Sequence, residues 1–365
     1  MAGLTRGQLR QSTKQEVGNQ MAYKQWLTVA AAAVLVGACG TSATPATAPA
    51  SQATAVTSAP ASQAAAASSA PASAHPNWYI PIISKGWQHQ FWVAVRQGAQ
   101  DEATKEGVTI NFIGPDNESQ VDVQISLLQQ ELAKKPAALC FAALDGKADQ
   151  PILQKYTDAK IPVIGFDSGV QPFVPVTTVA TDNSKAGAVA ADKVGDAIGG
   201  SGKVGLIVQD QVAESATSRR DGFLAEIKAK YPNITIVGPQ YGGGDIQKSA
   251  DIAKSMIQAN PDLKAIFGTN EGSAEGAVQG TNEAGKTGKV LVAGYDSGKA
   301  QIDAINNGSE MGAITQNPVG IGQQCVIAAV KAIQGVSQPT TIDTGFYWYD
   351  KTNITDPKVV ADLYQ

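Results

Sequence analysis

The sequence predicts an α/β protein built as two similar, doubly wound parallel-sheet lobes, and three observations carry that expectation. From Asn77 onward, apolar runs of strand length alternate with segments of helical periodicity, an order that produces parallel sheets covered by helices on both faces. The rhythm restarts after Asp182. A single continuous sheet would need roughly ten strands, whereas two sheets of about five or six fit ordinary domain sizes. Finally, one phrase is written twice: "VIGFDSG" ends at Gly169 and "VAGYDSG" at Gly298, which places Asp167 and Asp296 at equivalent strand ends of the two lobes.

The elements follow in order. "WYIPIIS", "VTINFIG", "ALCFAAL" and "IPVIGF" read as strands buried on both faces. Between them lie amphipathic helices, the clearest carrying Val121, Ile125, Leu128 and Leu132 on one stripe. After Asp182 come a helix over residues 186–198, the strand "KVGLIV", and a helix through Phe223, Ile227 and Tyr231. The strands "ITIVG", "KAIFG" and "KVLVAGY" then alternate with further helices. "GGSGK" looks superficially like a phosphate-binding loop, but no Ser or Thr follows Lys203 and it precedes a strand, so it reads as a helix-to-strand turn.

The amino end stands apart. "MAYKQW" supplies a lysine, "LTVAAAAVLV" an apolar run too short to span a bilayer, and "GACG" small residues before Cys39, the pattern of an export signal over residues 1–39 with Met21 as the expected start. The small residues before a cysteine resemble the lipobox of bacterial lipoproteins, which implies acylation of Cys39. Residues 40–76 are almost entirely Ala, Ser, Thr, Pro and Gln, too poor in large side chains to fold, and read as a tether that includes His75. Lipid and tether together imply a globular body working in water beside a membrane.

Composition excludes several classes. With 43% hydrophobic and 16% charged residues the 365-residue chain is globular, and a net charge of -4 leaves no basic surplus for nucleic acid. Cys140 and Cys325 sit in a buried-strand and an apolar-helix pattern and are expected to be two free core thiols, because a bridge needs a specific geometry. No CxxC or HxxxH spacing occurs, so no protein-built metal site and no cofactor are expected.

Ligands of open parallel sheets bind beyond the carboxyl ends of the strands. This chain places Trp87, His89, Phe91 and Trp92 after its first strand, Asp167 after "VIGF", Asn270 after "KAIFG", Asp296 after "VAGY" and Gln316 after "GAIT". Paired hydrogen-bonding groups beside large aromatic faces suit a sugar. Each position also has a plainer reading. Asp-Ser-Gly is ordinary turn chemistry, Phe91 or Trp92 could be core, and His89 could be a helix cap. "FYWYD" before Lys351 is expected to pack against a lobe surface.

Over residues 77–365 the chain resembles the periplasmic sugar-binding proteins of the ribose, galactose and glucose type, the substrate-binding components of ABC importers with the type I periplasmic binding fold. The resemblance lies in "HQFWVAVRQGAQDEA", "IPVIGFDSG", "TDNSKAG", "SRRDGF", "NPDLKAIFGTNEGSAEGA", "VLVAGYDSG" and "GAITQNPVGIG". It implies His89, Phe91, Trp92 and Asp167 as first-lobe ligand residues, Arg219, Asn270 and Asp296 from the second lobe, and Gln316 at a hinge crossing. It also implies three crossings between lobes, near Thr181, after Gln316 and near residues 341–346, with the lobes closing over the ligand. The expected division is 77–181 with 317–342 for the first lobe and 182–316 with 343–365 for the second. Three positions depart from the family pattern: His89 where Asn is frequent, Ser168 where Arg is frequent, and Gly244 in place of an aromatic residue.

The expected function is a monomeric, lipid-anchored receptor for a monosaccharide or related polyol that feeds an ABC permease, with signalling to a chemotaxis transducer as the alternative. A sugar-responsive repressor would need a helix-turn-helix where this chain has an export signal and tether. A glycoside hydrolase would need a carboxylic acid poised to donate, whereas Arg219 is expected to hold Asp167 and Asp296 ionised. No enzymatic activity is therefore expected. Arg220, the neighbour of Arg219, is assigned to the solvated face of its helix.

Overall fold

The computed structural model of the protein describes residue 75, residues 77–172 and residues 174–364. The expected export signal, Cys39 and the expected tether other than residue 75 lie outside the described residues. His75 itself packs on the body. Its N–H donates to the Gly107 carbonyl and its ring stacks on Trp78 with centroids 3.8 Å apart.

The first half of the fold runs β1 (Tyr79–Ile83), α1 (Gln90–Glu106), β2 (Thr109–Ile113), α2 (Val121–Ala133), β3 (Leu139–Phe141), α3 (Gln150–Asp158), β4 (Val163–Phe166) and β5 (Thr177–Ala180). The second runs α4 (Asn183–Ala197), β6 (Ser201–Val208), α5 (Glu214–Lys230), β7 (Asn233–Tyr241), α6 (Ile246–Ala259), β8 (Leu263–Gly268), α7 (Glu271–Glu283), β9 (Leu291–Tyr295), α8 (Lys299–Asn307) and β10 (Gly312–Gln316). The chain ends with α9 (Pro318–Ile333), β11 (Thr341–Asp343), β12 (Phe346–Tyr349) and α10 (Pro357–Val360).

The sheets are ordered β11-β5-β4-β3-β1-β2 and β12-β10-β9-β8-β6-β7. Apart from their last-added edge strands, they trace the same path twice, which is the two-lobed α/β fold expected from the repeated rhythm. Their central strands are buried on both faces, as parallel sheets under helices require. β12 differs. It pairs antiparallel to β10, so "FYWYD" supplies an edge strand and does not merely lie on a surface. In "GGSGK", Gly199 and Gly200 make the turn from α4 and the last three residues open β6.

The expectation of two free thiols is corrected: Cys140 on β3 and Cys325 on α9 form a disulfide across a Cα separation of 6.3 Å. α9 crosses the face of the first sheet on which Cys140 lies, and both residues belong to one apolar core. That tertiary approach is invisible in local sequence pattern, and it falls within the range a bridge tolerates.

Close helix crossings set the depth of the site. A Cβ on Gly187 of α4 would strike the Arg219 carbonyl, and one on Gly222 of α5 would strike the Ser184 carbonyl. Only glycine at both positions lets the two backbones meet, and this contact seats Arg219 in the interior.

The chain passes between the sheets three times, from β5 to α4, from β10 to α9 and from β11 to β12. Asp343 is the last residue of β11 and so belongs to the first sheet, one residue beyond the expected division. Tyr364 packs into the first core as well. The crossings are tied to one another: Thr181 Oγ1 donates to Gln316 Oε1 at 2.9 Å and the Thr344 N–H to the Ala180 carbonyl at 3.1 Å.

The lobes are closed on each other. Glu271, at the start of α7, accepts the N–H groups of Gln90 (2.9 Å) and Phe91 (3.1 Å) at the start of α1. In return, Gln90 Oε1 accepts the Lys299 N–H at the start of α8 at 2.7 Å. Each lobe thus satisfies unpaired N–H groups at a helix terminus of the other. Burial, reinforced by Asp296, raises the Glu271 carboxyl to about 8, although the two N–H donors pull the other way. A carboxyl raised in the folded state keeps a proton that the unfolded chain releases above the ordinary carboxylate range. Its stabilisation is therefore complete in acid and is lost as pH rises toward about 8. The melting temperature of Glu271→Gln relative to the parent protein is accordingly expected to increase as pH rises from about 5 to about 8; a pH-independent difference contradicts this reading.

Candidate functional site

The strand-end residues meet in one small cavity between the lobes, lined by Lys85, His89, Phe91, Trp92, Glu118, Asp167, Gln209, Arg219, Asn270, Asp296 and Gln316. All eight residues expected from the sequence are in this set. Trp87 is not; it lies beside Arg96 and Phe112 instead.

Asp167 and Asp296 follow β4 and β9, and both adopt left-handed backbone, with φ of 57° and 83°. Such values are uncommon outside glycine, and Asp is among the residues that tolerate them. In each case the residue's N–H donates to the neighbouring strand, Asp167 to Val179 and Asp296 to Ile314. The repeated phrase therefore makes the same turn twice, and both carboxylates end up in the cavity. The turn reading and the site reading are compatible.

Arg219 is buried, and three of its five N–H donors are bonded within the protein. Nε donates to Asn183 Oδ1 at 2.7 Å, Nη1 to the Thr269 carbonyl at 3.0 Å and Nη2 to Gln316 Oε1 at 3.2 Å. The guanidinium also lies 3.7 Å from the Tyr295 ring centroid. Burial works against its charge, but Tyr295, Asp296, Asp167 and Glu118 more than offset it. Arg220, by contrast, is half-buried and pairs with the exposed Asp221.

Gln316 Nε2 donates to Asp296 Oδ1 at 2.7 Å, and the Glu271 N–H to Oδ2 at 2.9 Å. Here two influences oppose each other. Burial raises the Asp296 carboxyl above its ordinary value, outweighing Arg219, Gln316 and the Glu271 N–H, which favour the ionised form. On the other side, Lys85 Nζ lies 3.0 Å from Asp167 Oδ2 and donates to Ser215 Oγ of the second lobe at 2.9 Å. Burial lowers Lys85, yet Asp167 and Glu118 hold the ammonium above its ordinary value. The cation that the family pattern places at residue 168 is thus supplied from the end of β1.

Phe91 and Trp92 belong to the first core and also face the cavity. Trp92 Nε1 donates to Glu118 Oε1 at 2.8 Å. His89 occupies the cap position of α1 but makes no capping hydrogen bond with its side chain; its Nε2 stands 4.0 Å from Glu118 Oε2. Asn270 caps α7 through Oδ1, which accepts from the Ser273 N–H. The cavity thus offers two cations, three carboxylates, two amides besides Asn270 and an aromatic wall.

Lys85, Glu118 and Gln209 were not anticipated. All three follow strands, β1, β2 and β6, so the strand-end rule applied to every strand would have found them. Among the described residues no cluster of three or more His, Cys, Asp or Glu side chains is arranged to hold a metal ion.

Comparison with known proteins agrees with this architecture. The family described as "Periplasmic binding protein domain" matches residues 80–337. An ABC transporter solute-binding protein from Agrobacterium vitis, solved with α-D-tagatopyranose, is 32% identical with a TM-score of 0.76, over 79% of this chain and 99% of that one. A second from the same organism, solved with D-fucose, is 30% identical with a TM-score of 0.76, over 78% and 100%. The D-allose-binding periplasmic protein of Escherichia coli is 28% identical over 253 residues, 66% of this chain and 80% of that protein. A match across both lobes, on a fold whose strand ends converge in an interlobe cavity, makes this chain a member of the periplasmic binding protein family, among the solute-binding proteins of ABC transporters.

Proposed function

We propose that the protein is the sugar-binding component of an ABC importer, which encloses one monosaccharide or related polyol between its lobes and presents the closed form to a membrane permease. The observation that carries this reading is the convergence, from both lobes, of hydrogen-bonding side chains around Phe91 and Trp92 in one small closed cavity. Carboxylates outnumber cations there, which favours a neutral, hydroxyl-rich ligand over an anionic one. His89, Phe91, Trp92, Asp167, Arg219, Asn270, Asp296 and Gln316 are assigned as its contacts. Solved relatives with tagatose, fucose or arabinose support the ligand class.

Closure couples cargo to signal. Asp167 and Asp296 stand on opposite lobes, so a ligand bonded to both favours the closed state over the open one by its differential affinity. Turnover is not part of this reading. The disulfide agrees with an exported, oxidising location, and acylation at Cys39 would hold a monomeric body beside its permease.

A thermal-shift screen of the purified protein against pentoses, hexoses and polyols tests the assignment, since binding to the native state alone raises the melting temperature. A selective rise is expected, and no rise across the panel contradicts the sugar reading. Asp296→Ala and Arg219→Ala should each remove that rise, because each deletes a charge-assisted partner worth about 1.5–3 kcal/mol or more; unchanged affinity in both would sink the site assignment. Cys39→Ser is expected to move the protein from the membrane to the soluble fraction, and continued membrane association would count against acylation.

A further inference from the structure

We propose that Glu118, His89 and Asn270 form a polar subsite, opened by Gly244, that selects a sugar bearing a hydroxyl at that end of the cavity. The inference rests on the sugar reading and narrows it. Gly244 lies in the loop between β7 and α6 with φ of 71°. A Cβ there would stand 3.1 Å from Glu118 Oε2, 3.4 Å from His89 Nε2 and 3.5 Å from Asn270 Nδ2. Three polar atoms, two from the first lobe and one from the second, therefore surround the face of a residue that has no side chain.

Their bonding capacity is specific. Glu118 is 6% exposed, its Oε1 is taken by Trp92, and its Oε2 has no hydrogen-bond partner in the protein. Asn270 spends Oδ1 on its helix cap, which leaves Nδ2 as a donor. An acceptor beside a donor matches a hydroxyl, which can give one hydrogen bond and receive another. A methyl group or an aromatic face would satisfy neither and would leave a buried carboxylate oxygen unpaired. A site built in this way rejects the analogue that lacks the hydroxyl far more strongly than an apolar pocket rejects an added one. Of the family departures, Gly244 and His89 then belong together. The aromatic side chain is absent where Glu118 and His89 need room to reach the ligand.

The test uses calorimetric titration of the intact protein with matched pairs that differ by one hydroxyl: D-galactose and D-fucose, D-allose and 6-deoxy-D-allose, D-mannose and D-rhamnose, D-glucose and 2-deoxy-D-glucose, D-ribose and 2-deoxy-D-ribose. At least one pair is expected to show a preference of about 10-fold or more for the hydroxylated member. Glu118→Gln, which keeps an oxygen for Trp92 but removes the charge, is expected to cut that preference severalfold. Equal or reversed affinities within every pair that binds overturn the subsite and leave the sugar reading intact. So does a preference that survives Glu118→Gln. A parent protein that binds no sugar in the panel overturns both.

Discussion

The buried guanidinium of Arg219 is the constraint around which the second lobe is arranged. A cation removed from water is tolerated only where its donors are matched and opposite charge stands near. Asn183, the Thr269 carbonyl and Gln316 supply the acceptors, Tyr295 the face beneath it, and Asp296 with Asp167 the charge. These partners come from α4, the end of β8, the end of β10 and the end of β9, so the arginine registers four elements against one another. Gly187 and Gly222 permit the helix crossing that brings it there. Through Gln316 the same network reaches the hinge, because Gln316 bonds Thr181 on one crossing and Asp296 in the cavity.

The first lobe solves the matching problem differently. Its carboxylate, Asp167, is balanced by Lys85, an ammonium on a single flexible stem that also reaches Ser215 across the cleft. The lobes therefore carry repeated topology and a repeated left-handed aspartate, but unequal cations. Arginine fixes a planar array of donors, whereas lysine supplies a point charge that can adjust when the lobes separate. The helix-terminal exchange between Glu271 and Gln90 adds contacts that need no ligand. Because the Glu271 N–H also bonds Asp296, the interlobe contact and the cavity meet at one residue.

Much of this architecture is legible in the order of the residues. Alternation of apolar runs and helical periodicity specifies the parallel sheets, and the duplicated "DSG" phrase identifies the two strand ends because a strand-end turn and a carboxylate are both local properties. Lys85 and Glu118 escape notice for the converse reason: a lysine after a strand and a glutamate within "PDNES" look solvated until two lobes close over them. Gln209 sits at the one central strand end of the second lobe left without a candidate. The disulfide depends on α9 crossing β3, a contact between residues 185 positions apart, which no local pattern announces. The upward shift of the Asp296 carboxyl comes from burial, a tertiary quantity that opposes the cationic neighbour the sequence can show.

Ligand-driven closure is the central claim, and the distance between lobes reports it directly. Spin labels at the exposed positions Val123 of the first lobe and Val212 of the second, measured by pulsed electron resonance with and without a sugar that raises the melting temperature, give that distance. The account predicts a broad or longer distribution without sugar that collapses to one short distance with it. An identical distribution in both samples would contradict it.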